Sequence, residues 1–320
     1  MIRFIILLFC LVNGQDEVDV DYCDIPCRNN TEHLGCNNYG AFSTDCGENA
    51  NLVPMTRNLR QFILREHNSL RSAVASGKLK GFPPASRMLT LQWDGELELM
   101  AEYLVKRCVL ERNRMCIATS RFKGPGVNGV YNILASSQDV IKVIKSQIDA
   151  WYDQYRYTSI NTLLTGRGEG GHEVQNFLQM MLSYNSRIGC AISQYHADKL
   201  IQLMYCVYSC KRTSCKPVYE ISQYPSAGCR RGTNQKYKNL CDAREDTDEC
   251  DHCNSNSPYS LLEKAFDFET DEDDVDIELG TLKPDGVQPS GKKDRLGNLV
   301  DLIKDTIVTG VEAVGSIIVR

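Results

Sequence analysis

The sequence predicts a mixed α+β fold, because two different hydrophobic periods occur in separate parts of the chain. Apolar residues recur at the spacing of a helix in four segments: 58–77, 94–110, 138–156 and 174–181. Two shorter apolar runs are typical of paired strands, and a polar turn at 194–199 separates them: 188–192 and 200–207. The composition, 42% hydrophobic and 24% charged, is that of a folded chain.

The predicted helices have recognisable ends. Gly77 is expected to end the first helix, and Pro83-Pro84 marks a turn after it. Asp94 stands where the second helix should begin, and its carboxylate suits an N-terminal cap. The third helix carries Trp151 on its apolar face, and the glycines of 166–171 predict a loop before the fourth. The clearest strands therefore come late in the chain.

Residues 1–14 predict a secretory signal peptide, because a basic residue precedes an apolar run that is too short to span a bilayer. Cleavage near Gly14 would remove Cys10 and leave 14 of the 15 cysteines. An even number of cysteines in a secreted chain indicates disulfides, and the sequon at Asn29 predicts glycosylation on the same route. Spacing alone leaves the pairing of the cysteines open: Cys23, Cys27, Cys36, Cys46, Cys108, Cys116, Cys190, Cys206, Cys210, Cys215, Cys229, Cys241, Cys250 and Cys253.

The net charge of −5 argues against a nucleic-acid-binding protein, and much of the acidity lies near the C-terminus. Residues 263–278 hold nine acidic residues and one lysine, which predicts a solvated, disordered linker. Residues 296–320 have the apolar stripe of an amphipathic helix, expected to contact a partner, to self-associate or to fold back on the body. A basic cleavage site at 292–295 would remove this helix. No segment after the signal peptide predicts a transmembrane span.

Several motifs follow one another along the chain: His67-Asn68-Ser69-Leu70-Arg71, Leu91-Gln92-Trp93-Asp94, Phe177-Leu178-Gln179-Met180 and Ile188-Gly189-Cys190-Ala191. In this order they resemble the signatures of the CAP superfamily, most closely its insect antigen-5-like, cysteine-rich secretory branch. The resemblance implies a three-layer α-β-α sandwich with disulfide-rich N-terminal and C-terminal extensions. The organisation it implies is a signal peptide over 1–14, a cysteine-rich N-terminal segment over 15–57, a CAP domain over 58–220, a cysteine-rich extension over 221–253, an acidic linker over 254–295 and an amphipathic helix over 296–320.

The resemblance also implies a cleft in which two histidines and two acidic residues hold a divalent metal in some members of the superfamily. Matched one by one, these four positions fall on Arg112, Val127, Gln154 and Asn176. None of the four is a good metal ligand, since arginine is a fixed cation and valine has no donor atom. We therefore expect no metal, no cofactor and no catalysis that depends on this tetrad.

Three groups of residues could form functional sites, and for each of them a purely structural role is the simpler interpretation. His172, Glu173 and Glu111 would supply a rearranged site in place of the metal tetrad if the alignment slipped. Cys250-Asp251-His252-Cys253 would form a zinc knuckle with Cys229 and Cys241, although disulfides are the expectation in a secreted chain. His67 has the chemistry of a general base, but a structural role on the first helix is favoured.

The expected function is that of a secreted, non-enzymatic protein that binds an extracellular protein partner, in reproductive fluid by preference, or in saliva or venom. One alternative is a carrier of small hydrophobic ligands such as sterols or lipids, which requires a continuous apolar channel. The other is a hydrolase with a rebuilt site, which requires convergent titratable groups in one cleft.

Overall fold

The computed structural model describes eight parts of the chain: residues 20–27, 31–47, 49–110, 115–134, 139–166, 168–213, 216–245 and 250. The predicted signal peptide, the linker and the terminal helix lie outside the described residues, as do Asn29, Glu111, Arg112, Cys215, His252 and Cys253.

A five-stranded sheet forms the middle of the molecule. Its strands are β1 (Asn51–Leu52), β2 (Gln92–Trp93), β3 (Gly126–Leu134), β4 (Arg187–His196) and β5 (Leu200–Tyr208). The order across the sheet is β1-β4-β5-β3, and the short β2 pairs with β4 as the parallel member. Nine residues of β5 pair in antiparallel register with β3 on one side and with β4 on the other, so β5 is the central strand.

In the described part of the chain, five α-helices cover the sheet: α1 (Arg57–Ala75), α2 (Gly95–Val105), α3 (Val140–Tyr152), α4 (Ile160–Thr165) and α5 (Gln175–Met181). Successive residues of β4 and β5 face opposite sides, as the pleat requires. Cys190, Ile192 and Met204 pack with residues of α1, α3 and α5 on one face. Ala191 and Leu203 pack with α2 and the N-terminal segment on the other face. The mixed α+β class and the three-layer arrangement are therefore confirmed.

Helix α1 shows why the long helices form. The hydroxyl of Thr56 accepts a hydrogen bond from the amide of Leu59 at 3.3 Å and caps the first turn. Ile63 and Val74 are fully buried on one side of the helix. The helix ends at Ala75, and Gly77 follows with a φ of 71°, a left-handed conformation that glycine adopts without strain.

Three local predictions differ from the structure. Helix α2 ends at Val105 rather than at 110, because the chain turns there and Cys108 takes a φ of 56° to reach Cys46. Strand β4 continues to His196 and shortens the predicted turn. Strand β3 was not predicted, since its two glycines and two asparagines weaken the strand pattern of Gly126–Leu134.

The described cysteines form six disulfides. Two of them join the N-terminal segment to the region of α2, Cys27–Cys116 and Cys46–Cys108, and Cys23–Cys36 closes a loop within that segment. The other three lie later in the chain: Cys190–Cys206 between neighbouring strands, Cys210–Cys250 and Cys229–Cys241. The Cys229–Cys241 and Cys210–Cys250 bonds occupy sulfurs that a zinc knuckle would need as thiolates.

The described part of the C-terminal extension packs on the segment between α1 and β2. The amide of Cys241 donates to the carbonyl of Met88 at 2.8 Å, and Arg87 forms a salt bridge of 2.6 Å with Glu245, whose side chain is 3% exposed. Leu240 is fully buried in the core that α1 shares. The extension therefore shares a core with the body. Within the described ranges, no helix combines the length and apolarity needed to cross a bilayer.

Candidate functional site

Three polar side chains on α1 hold other segments of the backbone in place. The guanidinium of Arg71 is fully buried and donates to four carbonyls, those of Met180, Leu182, Leu89 and Asn185, at 2.6–3.3 Å. Burial lowers the pKa of Arg71 to about 9, so the side chain stays charged at neutral pH and its charge is spread over these carbonyls. Arg71 thereby joins the end of α5 to the loop before β2.

Asn68 binds the backbone of Leu91 as a strand would. Its Nδ2 donates to the carbonyl of Leu91 and its Oδ1 accepts from the amide of the same residue, both at 2.9 Å. This explains why an asparagine suits this helical position: its carboxamide has the donor and the acceptor of a peptide group.

His67 is fully buried and takes part in a hydrogen-bonded chain that links α1 to β5 and β3. Its Nδ1 lies 2.9 Å from the carbonyl of Ile63, which can only accept, so Nδ1 carries the proton. Nε2 then accepts from the hydroxyl of Tyr208 at 3.1 Å, and that hydroxyl accepts from Nδ2 of Asn128 at 3.3 Å. Burial lowers the pKa of His67 to about 4 and raises that of Tyr208. The ring is thus neutral, and its contacts are those of a structural residue.

A cleft of about 690 Å³ lies between the end of α2, the start of β3 and the start of α5. One part of its wall is apolar: Leu104, Leu110, Met115, Ile117 and Val127. Gln179 supports the opposite wall. Its Nε2 donates to the carbonyl of Cys210 at 2.7 Å and its Oε1 accepts from the amide of Arg212 at 3.2 Å, which holds the segment after β5 beside the cleft.

Three cations reach the polar part of the cleft: Arg107, Lys211 and Arg212. Arg107 contacts the sulfur of Met115, and Lys211 is exposed. The guanidinium of Arg212 lies against Gly166, where a Cβ atom would come within 2.3 Å of Cζ. Its buried Nε has no hydrogen-bond partner among the described residues, and burial lowers the pKa of Arg212. The only carboxylate among the described lining residues is Glu173.

The structure brings two of the four predicted tetrad positions to this cleft. Val127 and Asn176 line it, whereas Gln154 lies behind it and accepts a hydrogen bond from the amide of Phe177 at 3.0 Å. Gln154 therefore satisfies an amide in the first turn of α5, which a carboxylate at this position could also do. The described lining residues of the cleft supply carboxamides, cations and one carboxylate, Glu173, and this set does not fit a divalent metal ion.

The rearranged pair does not converge. His172 is exposed and stacks on Tyr157, with ring centroids 3.8 Å apart, while the neighbouring Glu173 lines the cleft. One further group in the described chain has the spacing of a metal site, Cys229, Cys241 and Glu245. Its two sulfurs are joined in a disulfide and its carboxylate pairs with Arg87, so its contacts are structural.

Sequence reasoning missed the three cations of the cleft. Arg107 stood in the sequence inside a cysteine-containing motif, and Lys211 and Arg212 follow directly on Cys210. The adjacent basic pair next to a cysteine was the available signal, but nothing in the spacing joined it to Arg107, which lies more than 100 residues earlier.

Comparison with known proteins places this architecture in a family. Residues 64–208 match the family described as "CAP: Cysteine-rich secretory protein family". An antigen 5 like allergen, Cul n 1 of Culicoides nubeculosus, is 34% identical over 169 residues, which cover 52% of this chain and 76% of the allergen. The chain belongs to the CAP family.

Other CAP relatives match over more of the chain. Tabinhibitin 6 of Tabanus yao is 31% identical over 252 residues, which cover 76% of this chain and 95% of the relative. Venom allergen-1 of Aedes aegypti is 28% identical over 233 residues, covering 70% of this chain and 88% of the allergen. Among solved structures, Na-ASP-1 superposes with a TM-score of 0.50 at 23% identity, over 62% of this chain and 50% of that one, a likeness of fold.

Proposed function

We propose that this CAP protein is secreted and non-enzymatic, and that it works by binding an extracellular protein. The observation that carries the proposal is the side-chain content of the cleft. Among the described lining residues, three cations and one carboxylate surround an apolar wall, and the histidine that a rebuilt acid–base pair would use stacks on Tyr157 outside it. Hydrolysis by such a pair needs two titratable groups within reach of one substrate atom.

Secretion is supported by the predicted signal peptide and by the six disulfides of the described chain, which form in oxidising compartments. The relatives named above are an antigen-5-like allergen, a venom allergen and a tabinhibitin. They give no support to the reproductive setting that the sequence favoured.

The test is affinity capture from the extracellular fluid in which the protein occurs, with the full secreted chain as bait. A reduced and alkylated bait serves as the control, because it has the same sequence without the fold. We expect a protein retained only by the folded bait, and direct binding when the two purified proteins are mixed. Failure of every captured protein to bind in the purified pair would contradict the proposal.

The hydrolase alternative has its own test. The purified chain is assayed against ester, peptide and glycoside substrates, with the variants His172→Ala and Glu173→Gln as controls. We expect no turnover above that of the unfolded protein. Turnover that either variant abolishes would replace the binding proposal with a catalytic one.

A further inference from the structure

The cleft has the surface chemistry of a binding site for an acidic peptide that also carries apolar side chains. Its lining includes three cations, Arg107, Lys211 and Arg212, and apolar residues such as Leu104 and Val127. A lone inorganic anion would use the cations but not the wall, and a neutral lipid would use the wall but not the cations. A peptide that alternates acidic and apolar residues would use both.

The chain itself contains such a peptide. In the acidic segment 263–278, Phe266 and Phe268 alternate with Asp267 and Glu269. In an extended conformation, alternate side chains point to opposite sides, so the two aromatic rings would share one side and the two carboxylates the other. The whole segment carries nine acidic residues against one lysine, a charge opposite to that of the cleft.

The disulfide Cys210–Cys250 attaches this part of the chain beside the cleft. The two Cα atoms are 5.1 Å apart, and Cys210 immediately precedes the lining residues Lys211 and Arg212. Residues 251–262 extend at most about 40 Å, which is ample to bring the acidic segment to the cleft. Such a short tether gives the segment an effective concentration on the order of millimolar, which favours it over a free acidic ligand.

We propose that residues 263–278 bind in the cleft of the same molecule and compete there with acidic segments of other proteins. The pairing is electrostatic and partly exposed, so salt should weaken it. It does not depend on the proposed function, because a segment bound in cis would cover the cleft of a binding protein or of an enzyme alike.

The first experiment is zero-length carbodiimide cross-linking of the full secreted chain, which joins a carboxylate to an amine, followed by peptide mass spectrometry. Lys211 in the cleft is compared with Lys80, which is exposed and does not line it. We expect Lys211 to be joined to residues 263–278 at several times the yield of Lys80, with the difference lost in 1 M salt. Equal yields at the two lysines would overturn the proposal.

The second experiment measures binding of a labelled synthetic peptide of residues 263–278 to two full-length proteins. One is the wild type, and the other has the carboxylates of 267–278 replaced by their amides. We expect the amide variant to bind the peptide at least tenfold more tightly, because its cleft has no competitor in cis. Equal affinities would mean that the cleft takes acidic peptides only from outside, and no binding to either protein would remove the site altogether.

Charge reversal in the amide variant tests the location of the site. Lys211→Glu should reduce peptide binding at least tenfold, whereas the matched change Lys80→Glu should leave it unchanged. Arg212→Gln is a second cleft variant that keeps a neutral side chain of similar length beside Gly166. Peptide binding that survives both cleft variants would place the site elsewhere and contradict the proposal.

Discussion

The two faces of the sheet are held by different means. On the face of α1, α3 and α5, long helices bury an apolar core, and the polar side chains within it bind backbone groups of neighbouring segments, as Arg71 and Asn68 do. On the opposite face, α2 is joined by an N-terminal segment with little regular structure. Two disulfides attach that segment and a third closes a loop within it. Cross-links thus stabilise the layer that has few backbone hydrogen bonds of its own.

The face of α1 should be the more sensitive to a single side-chain change. Arg71→Met leaves four buried carbonyls without their donor, and we expect it to lower the free energy of unfolding by about 3–5 kcal/mol. Urea unfolding followed by circular dichroism measures it. The control is Arg57→Met, an exposed arginine in the first turn of the same helix, which should change stability by less than about 0.5 kcal/mol. Equal losses would show that the carbonyl contacts contribute little.

The opposite face should depend on its cross-links. Replacing Cys46 and Cys108 together by alanine removes a bond between residues 62 apart, and we expect a loss of about 2–4 kcal/mol. Replacing Cys190 and Cys206 should cost about 1 kcal/mol less in chain entropy, because those residues are 16 apart on paired strands. Thermal unfolding of the two variants ranks them, and the reverse order would contradict a chain-entropy account.

Part of the pH dependence of stability should come from the α1 face. The folded state holds His67 neutral with its pKa lowered to about 4, whereas an unfolded histidine takes up a proton near pH 6.5. As the pH falls from 6.5 to 4, the unfolded state binds the proton first, so stability should fall by up to about 3 kcal/mol. Urea midpoints at pH 7 and 4.5 measure this. His67→Gln should reduce this slope, and the slope that remains should include the contribution of the buried His33, whose pKa burial also lowers.

Helix α2 lies very close to the sheet at Gly189. A Cβ atom at this position of β4 would lie 2.0 Å from the backbone nitrogen of Glu98 in α2. Gly189→Ala should therefore push α2 away and cost about 1–3 kcal/mol. Gly95→Ala is the matched control, because a Cβ there meets nothing within 4 Å. A neutral Gly189→Ala would show that α2 can shift without loss.

Sequence patterns predicted the elements whose environment is set locally. Helix α1, the cap at Asp94 and the late strands follow from apolar spacing and from residues adjacent in the chain. Strand β3 was not predicted, because its own sequence, Gly126–Leu134, is weakly strand-like. Its partner β5 lies some 70 residues later in the chain. The pairing of the cysteines could not be predicted either, because their spacing along the chain does not reveal which sulfurs meet.

The sequence by itself determined the family, the alternation of helices and strands, and the presence of ligand-poor residues such as Val127 at positions resembling a metal site. Only the tertiary structure decided that Val127 and Asn176 share a cleft, that Gln154 lies behind it, and that Arg107 reaches it together with Lys211 and Arg212. Hydrophobic period and capping act over a few residues and can be read along the chain. A cleft is formed by side chains far apart in sequence, so its charge is known only once the sheet has brought them together.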